Sequence, residues 1–308
     1  MTKFLQTLLD GVSVGSLYAL VALGYTMVYG VLRFINFAHG DIFMLGAWVS
    51  YLVARAFTWT DAQVTPPWYA AIILLFASMI ICGTIGFLIE RFAYRPLRKA
   101  PRLNVLITAI GVSLFIQNFG QLGWVFGTNP QKMPRLLPDV VLFSVADVNF
   151  ELIDALLIGT AFLLMLALQW LVYRTKIGLG MRALSHDPTT AALMGVPVDR
   201  IISLTFIIGS ALAAAAGLLF ALEYRNLQQP AASTWVLLGL KAFVAAVVGG
   251  IGNLKGAMVG GIVIGLLEWF GAAYLSPQFR EIYVFLLLII VLLVKPSGLF
   301  GTTAKEKV

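Results

Sequence analysis

Four polar side chains stand close together in an otherwise apolar stretch, RFINFAHGDIFMLGAW. They are Arg33, Asn36, His39 and Asp41. An amide, an imidazole and a carboxylate can bind a polar ligand, act as a base or cap a helix. Only 11% of the chain is charged, so this concentration of polar groups requires an explanation. The elements that carry these residues decide which chemistry applies.

Hydrolytic and nucleotide chemistry have weak support. GVSVG, residues 11–15, matches the G-x-S-x-G pattern, but that motif needs a strand–turn–helix context that a membrane span cannot supply. A serine hydrolase within the membrane would need a base, and with His186 in a polar segment only His39 remains. GGIGNLKG, residues 249–256, lacks the phosphate-loop pattern and follows no predicted strand. We therefore predict no enzymatic activity, no cofactor and no metal site.

The composition indicates an integral membrane protein. Of the 308 residues 60% are hydrophobic, and the mean hydropathy is +0.92. The apolar runs are unbroken and rich in Gly, Ala and Ser, which favours helices over a barrel of alternating strands. Cys82 is the only cysteine, lies in such a run and can form no intrachain disulfide. We predict an all-α polytopic bundle, a single transmembrane domain over residues 1–308, with spans near 5–31, 41–58, 68–90, 103–126, 152–173, 199–222, 235–251, 254–275 and 279–294.

Lys and Arg set the orientation. The net charge of +7 comes from basic residues that lie between apolar runs, which is typical of topology signals and not of a nucleic-acid surface. Residues 235–251 are short and contain Lys241, so they either cross the membrane or re-enter it, giving nine or eight spans. The N-terminus is expected outside, and the segments predicted to face the cytoplasm are 32–40, 91–102, 174–200, 252–256 and 295–308.

Two connecting segments are longer than turns. In the inner one, Asp187 suits a helix N-cap, Pro188 the first turn and Gly195 a left-handed exit. This predicts a cytoplasmic helix of about two turns, too short to be stable alone and so held by its flanking spans or by another protein. The outer segment, residues 127–150, has three prolines and no helical period, and is predicted to be irregular. It either faces a partner or simply connects two spans.

Five motifs, in chain order, carry a family resemblance. They are GSLYALVALGYTMVYGVLRFINFAHGD, ERFAYRPLR, MRALSHDPTTAALMGVPVDR, AAVVGGIGNLKGAMVGG and KPSGLFG. Together they resemble the H-type permease subunit of branched-chain amino acid ABC importers, over almost the whole chain. The one departure is the lysine before the proline in KPSGLFG, where arginine is more usual. Similar permeases serve urea, short amides or other amino acids, so these substrates remain alternatives.

The resemblance implies a division of labour in the bacterial inner membrane. A periplasmic binding protein captures the substrate, this chain and a second homologous permease form the path, and two cytoplasmic ATPases drive transport. It places the ATPase-coupling element in residues 181–195, which we predict to form one docking helix. The coupling candidates are Arg182, Ala183, Ser185, His186, Asp187, Ala191 and Gly195. A self-powered secondary transporter and an intramembrane hydrolase remain the alternatives of other classes.

INFAHGD supplies the candidate translocation path. Gly40 allows backbone angles that other residues resist, so we expect a helix break there with Asn36 or Asp41 capping the new start. Such breaks line substrate paths, but a plain hairpin near the inner surface is the alternative. GGIGNLKGAMVGG is a possible counterpart, and the path candidates are Asn36, His39, Gly40, Asp41, Asn253 and Gly256. Because a binding protein supplies selectivity, we expect a mostly apolar path that binds substrate weakly.

Overall fold

The structure is a computed structural model that describes residues 2–61, 64–98, 100–138, 140–145 and 148–301. The helices are α1 (Thr2–Leu32), α2 (His39–Ala56), α3 (Ala70–Ile89), α4 (Arg102–Gly120), α5 (Leu152–Arg174), α6 (Lys176–His186), α7 (Pro188–Leu193), α8 (Val198–Tyr224), α9 (Ser233–Gly249), α10 (Leu254–Tyr274) and α11 (Arg280–Val294). The strands are β1 (Gln131–Lys132), β2 (Val141–Val145), β3 (Val148–Glu151) and β4 (Asn226–Leu227). One π turn (Glu90–Tyr94) and a 3₁₀ turn (Arg95–Leu97) extend α3, and a 3₁₀ turn (Pro277–Phe279) precedes α11.

The long helices confirm the predicted all-α polytopic fold. Each of the nine predicted apolar runs coincides with one of them, and in the described part of the chain seven are long and apolar enough to cross a membrane by length and composition. The other two are α2, which has polar residues in its first turn, and α9, which has 17 residues. At 1.5 Å per residue α9 is about 25 Å long, slightly less than the ~30 Å hydrocarbon core.

The segments predicted to be cytoplasmic meet at one end of the bundle, which we call the inner end. Arg33 donates to the Ser185 carbonyl at 2.9 Å, and Arg98 pairs with Asp199 at 2.6 Å. The amide of Phe300 donates to the carbonyl of Gly249, the last residue of α9. Residue 99 and residues 302–308, also assigned to this side, lie outside the described residues.

The helix α9 runs through the bundle from end to end. At its start, the Trp235 indole donates to the Gln229 carbonyl at 3.1 Å, beside strand β4 at the outer end. At its finish, Gly249 lies against Phe300 at the inner end. Residues 235–251 therefore run from one end of the bundle to the other and do not turn back, although α9 is not among the seven helices that qualify as spans by length and composition.

Glycines hold α1 against α10 at the centre of the core. A Cβ added at Gly261 would overlap the Ala19 backbone, and one added at Gly265 would overlap the backbone of Gly15. Only small residues allow two helices to approach this closely, and in a bilayer such contact is a main source of helix association. The glycines and alanines that are frequent in the apolar runs thus serve close packing.

The outer segment is more ordered than the sequence predicted. Strands β2 and β3 form an antiparallel hairpin in which the Phe143 and Phe150 rings stack with centroids 4.8 Å apart. Strand β1 pairs with β4, which follows α8. The prediction of an irregular loop over residues 127–150 was wrong at these positions, because the cross-strand aromatic pair and the long-range β1–β4 pairing leave little local signal.

Candidate functional site

The connector between α1 and α2 starts at the inner end and returns into the bundle. Helix α1 ends at Leu32, six residues turn back, and α2 begins at His39, whose ring lies against Gly24. Gly24 is eight residues before the end of α1, about 12 Å along its axis. The second helix therefore starts well within the bundle, and the connector is not a plain hairpin at the inner surface.

The local details of this break differ from the prediction. The left-handed residue is Arg33, with φ of 54°, whereas Gly40 is helical. Ala38 occupies the N-cap of α2, and neither Asn36 nor Asp41 caps the helix with its side chain. Gly40 matters instead for close approach, because a Cβ there would lie 3.0 Å from the Gly239 Cα in α9. Substitution of Gly40 would push α2 and α9 apart.

Asn36 and His39 are fixed by neighbouring helices. The Tyr94 hydroxyl, in the π turn that extends α3, donates to Asn36 Oδ1 at 2.6 Å. The His39 ring meets the Tyr25 ring edge-on with centroids 4.6 Å apart, and both polar residues are about 98% buried. His39 Nε2 and Asn36 Nδ2 have no hydrogen-bond partner among the described residues. Both side chains hold the connector in place, and each has one nitrogen without a hydrogen bond to another described residue.

Asp41 stands at the wall of a cavity of about 280 Å³ between α1, α2, α4 and α9. Gln117 in α4 donates from Nε2 to Asp41 Oδ1 at 2.7 Å and to the Ser113 hydroxyl at 3.2 Å. The remaining lining is mainly apolar. It consists of Tyr25, Phe37, Gly40, Ile110, Leu114, Val236, Gly239 and Leu240. A cavity of this size with a few convergent polar groups is typical of a small-ligand site.

A second cavity of about 390 Å³ opens at the inner end, beside Arg33 and the start of the connector. It shares α4 with the first cavity. Leu103 and Leu106 line the inner cavity, and Ile110, Ser113 and Gln117 line the central one. The spacings of three to four residues place all five on one face of α4, over a rise of about 21 Å.

The predicted coupling segment forms two helices. Asp187 ends α6 and caps α7, accepting hydrogen bonds from the Thr189 amide at 2.9 Å and from the Thr190 hydroxyl. Pro188 takes the first position of α7, and Gly195 has φ of 82°, so the predicted cap, first turn and exit are confirmed. One continuous helix over residues 181–195 was wrong, because Asp187 adopts an extended backbone and interrupts it.

The coupling candidates occupy both faces of this pair. Ala191 is buried and Ala183 half-buried, whereas Arg182, His186 and Asp187 are exposed. Ser185 lies at the end of α6, where its carbonyl and that of His186 accept from the Arg33 guanidinium at 2.9 and 3.4 Å. The coupling segment is thus bonded to the connector that leads to Asp41, a contact that sequence spacing did not reveal.

Asn253 and Gly256 lie elsewhere. Asn253 caps α10, accepting from the amides of Lys255 and Gly256, and donates to the Phe300 carbonyl at 2.9 Å. Gly256 packs against the Gly249 backbone. The structure brings Gly40 and Asp41 to the central cavity but leaves Asn253 and Gly256 at the inner end, where they join α9, α10 and the C-terminal segment.

Comparison with known proteins decides the family. The family described as "Branched-chain amino acid transport system / permease component" matches residues 7–294. This chain belongs to that family. The permease is 40% identical over 99% of its length to the high-affinity branched-chain amino acid transport system permease protein LivH of Escherichia coli K12, and the match covers 98% of that relative. BraD of Pseudomonas aeruginosa has the same description and is also 40% identical, over 99% of this chain and 98% of its own length.

A more distant relative has a similar description. A probable branched-chain amino acid transport permease, LivH of Methanocaldococcus jannaschii, is 28% identical over 98% of this permease and 94% of its own length. Among solved structures, PsaBC from Streptococcus pneumoniae in complex with Fab aligns over 97% of this chain and 94% of its own, with 13% identity and a TM-score of 0.46. Family membership and the long apolar helices make the permease a multi-pass membrane protein.

The permease also contains a buried ionic cluster that the sequence did not reveal. Lys241 in α9 lies 3.0 Å from Glu268 in α10 and 2.8 Å from Glu281 in α11. The Tyr18 hydroxyl in α1 donates to the other oxygen of Glu268 at 2.8 Å. We refer to these four residues as the Lys241 cluster. It joins four helices, and each partner comes from a different predicted span, so no local spacing indicates it.

Ser13 and His39, the two residues that the hydrolase alternative requires, do not form a catalytic pair. The Ser13 hydroxyl donates to Asp154 at 2.8 Å. His39 contacts Gly24, which is eleven residues and about 16 Å further along α1. A serine nucleophile needs its base within hydrogen-bond reach, so Ser13 and His39 cannot act together in this arrangement.

Proposed function

We propose that this chain is a permease subunit of an ATP-driven importer and forms part of the translocation path for branched-chain amino acids of the leucine, isoleucine and valine class. It works in the bacterial cytoplasmic membrane with a second homologous permease, two cytoplasmic ATPases that hydrolyse ATP, and a periplasmic substrate-binding protein. The family, and the branched-chain amino acid transport named in the descriptions of LivH and BraD, support this assignment.

The observation that carries the proposal is the pair of cavities along one face of α4. The central cavity contains the buried polar groups of Asp41 and Gln117, and the inner cavity lies where the connector reaches the inner end. Apolar walls with few polar anchors suit the brief, weak binding expected of a path whose selectivity resides in a separate binding protein. Asn36 and His39 support this path by fixing the connector.

The helices α6 and α7 are the proposed ATPase-docking element. Leu193 and Met194, at the end of α7, are 83% and 80% exposed at the inner end. Movement of α6 would pull on Arg33 through the Ser185 carbonyl, and Arg33 begins the connector that leads to Asp41. This contact gives a direct mechanical route from ATPase closure to the central cavity.

Reconstitution tests the function. The permease is assembled with its partner subunits in proteoliposomes, and uptake of radiolabelled leucine is measured with ATP, with an ion gradient alone, and with an ATPase whose catalytic residue is replaced. We expect uptake only with ATP, intact ATPases and binding protein. Uptake driven by an ion gradient alone would overturn the proposal in favour of a secondary transporter. Competition by urea or short amides, but not by isoleucine and valine, would overturn the substrate assignment.

Crosslinking tests the docking element. Single cysteines replace Leu193 or Met194 in a Cys82→Ala background, with Asn129→Cys, exposed at the outer end, as the matched control. In the assembled, active complex we expect both inner cysteines to crosslink to an ATPase subunit and the outer one to give no such product. If neither inner cysteine crosslinks while the complex transports normally, α7 is not the docking element.

A further inference from the structure

Asp41 is a buried carboxylate without a cationic partner among the described residues. It is 3% exposed, and the ion pairs of the described part of the chain involve other acids. Its partner Gln117 is a neutral amide whose two hydrogens are both committed, to Asp41 and to Ser113. Its position in the first turn of α2 lets the helix dipole offset part of the desolvation cost.

An unpaired carboxylate is costly to bury, and hydrogen bonds from neutral groups compensate only in part. Ionisable residues at membrane depth characteristically mark substrate or ion pathways. Here the carboxylate faces a cavity large enough for a small ligand. A positively charged group that entered this cavity would find its counter-ion already in place.

We infer that Asp41 is the contact for the α-ammonium group of the substrate as it passes the central cavity, with the substrate's branched side chain against Ile110, Leu114, Val236 and Leu240. The inference rests on the proposed function and narrows it to ligands that carry an ammonium group. Neutral amides and urea offer no cation to Asp41 and bind poorly. The Tyr25 hydroxyl, close to Gly40 and Gly239, lies on the same cavity wall and completes its polar end.

The first test is transport by the full complex. Asp41→Asn keeps the size of the side chain and an oxygen that can accept from Gln117, but removes the charge. Asp41→Glu keeps the charge, and Asp61→Asn, exposed at the outer end, is the matched control. We expect Asp41→Asn to lower leucine uptake about tenfold or more, the effect of losing a hydrogen bond between charged groups. Uptake by Asp61→Asn, and its ATPase activity stimulated by the binding protein, should stay within about twofold of the parent.

The second test measures binding without the binding protein. Saturation-transfer NMR detects weak contact of the permease complex with leucine, with isopentylamine, which lacks the carboxylate, and with 4-methylpentanoate, which lacks the ammonium group. We expect signals for leucine and isopentylamine, and none above background for 4-methylpentanoate. Asp41→Asn should abolish these signals, and Asp61→Asn should retain them. Equal signals for all three ligands, or unchanged uptake by Asp41→Asn, would overturn the ammonium site. If the parent complex transports leucine with ATP in that case, the proposed function stands; if the parent fails as well, the proposed function falls.

Discussion

Removing the cation of the Lys241 cluster should destabilise the permease strongly. Lys241→Met preserves an unbranched apolar stem but leaves Glu268, which is 4% exposed, with only the Tyr18 hydroxyl. Breaking a buried ion pair by removing one partner costs about 3–5 kcal/mol, because the other charge is stranded. Glu281 adds little to this penalty, since its side chain is 42% exposed and can turn away from the bundle interior.

A double substitution separates charge stranding from lost packing. In Lys241→Met with Glu268→Gln, the amide can still accept from Tyr18 and no buried charge is left without its partner. We expect the double variant to recover about 2–3 kcal/mol relative to the sum of the two single variants. The free energy of unfolding is measured in mixed micelles with a rising fraction of SDS, followed by circular dichroism.

Additivity would refute this reasoning. If the two single effects sum to the double effect within about 0.5 kcal/mol, Lys241 and Glu268 do not act as a pair, and the loss in Lys241→Met comes from packing alone. The parent protein and all three variants must refold from SDS to the same helical signal for the comparison to hold.

Three further predictions concern other elements. Arg33→Ala should lower leucine uptake per ATP hydrolysed by about threefold or more. Arg33→Lys should be intermediate, because lysine keeps the charge but lacks the planar guanidinium. Coupled uptake and phosphate-release assays check both variants. Gly46→Ala should cost about 1–3 kcal/mol of stability, since its Cβ would overlap Ala214, while Gly159→Ala, facing open space, should be near neutral in the same SDS unfolding assay. Hydrogen bonds from Thr190 and Thr189 hold the pKa of Asp187 below its ordinary value of about 3.9. The stability that they add to α7 is therefore full above that value and is lost as pH falls through the lower folded pKa. Hydrogen exchange of α7 should show this loss, and in Asp187→Asn the dependence on pH should disappear.

The sequence predicted those parts of the fold that depend on local patterns. Apolar runs located nine helices to within a few residues, except that α4 ends at Gly120 and not near residue 126. Asp187, Pro188 and Gly195 formed the predicted cap, first turn and exit, because each acts on its own backbone. The helix interruption at Asp187 was missed, since one residue can end one helix and begin the next.

Contacts between residues that are far apart in the sequence could not be predicted from it. Asn36 finds its partner in Tyr94, and Asp41 finds Gln117, at separations of 58 and 76 residues. The motif ERFAYRPLR contains Tyr94, but its residues give no indication of what Tyr94 binds. Gln117 offered a weaker clue as one of the amides within an apolar run. The path candidates themselves remain a prediction for the uptake experiments.

The Lys241 cluster also constrains how the chain enters the membrane during synthesis. A lysine at the centre of a span costs about 2.5–3.5 kcal/mol to insert through the translocon, and Lys241 is the ninth of the 17 residues of α9. Its counter-ion Glu268 emerges from the ribosome 27 residues later, in the next helix. A helix that is short and centrally charged is therefore poorly retained on its own, and α9 should leave the translocon together with α10, with Lys241 already paired to Glu268. A ribosome halted between the two helices would leave α9 exposed to membrane quality-control proteases.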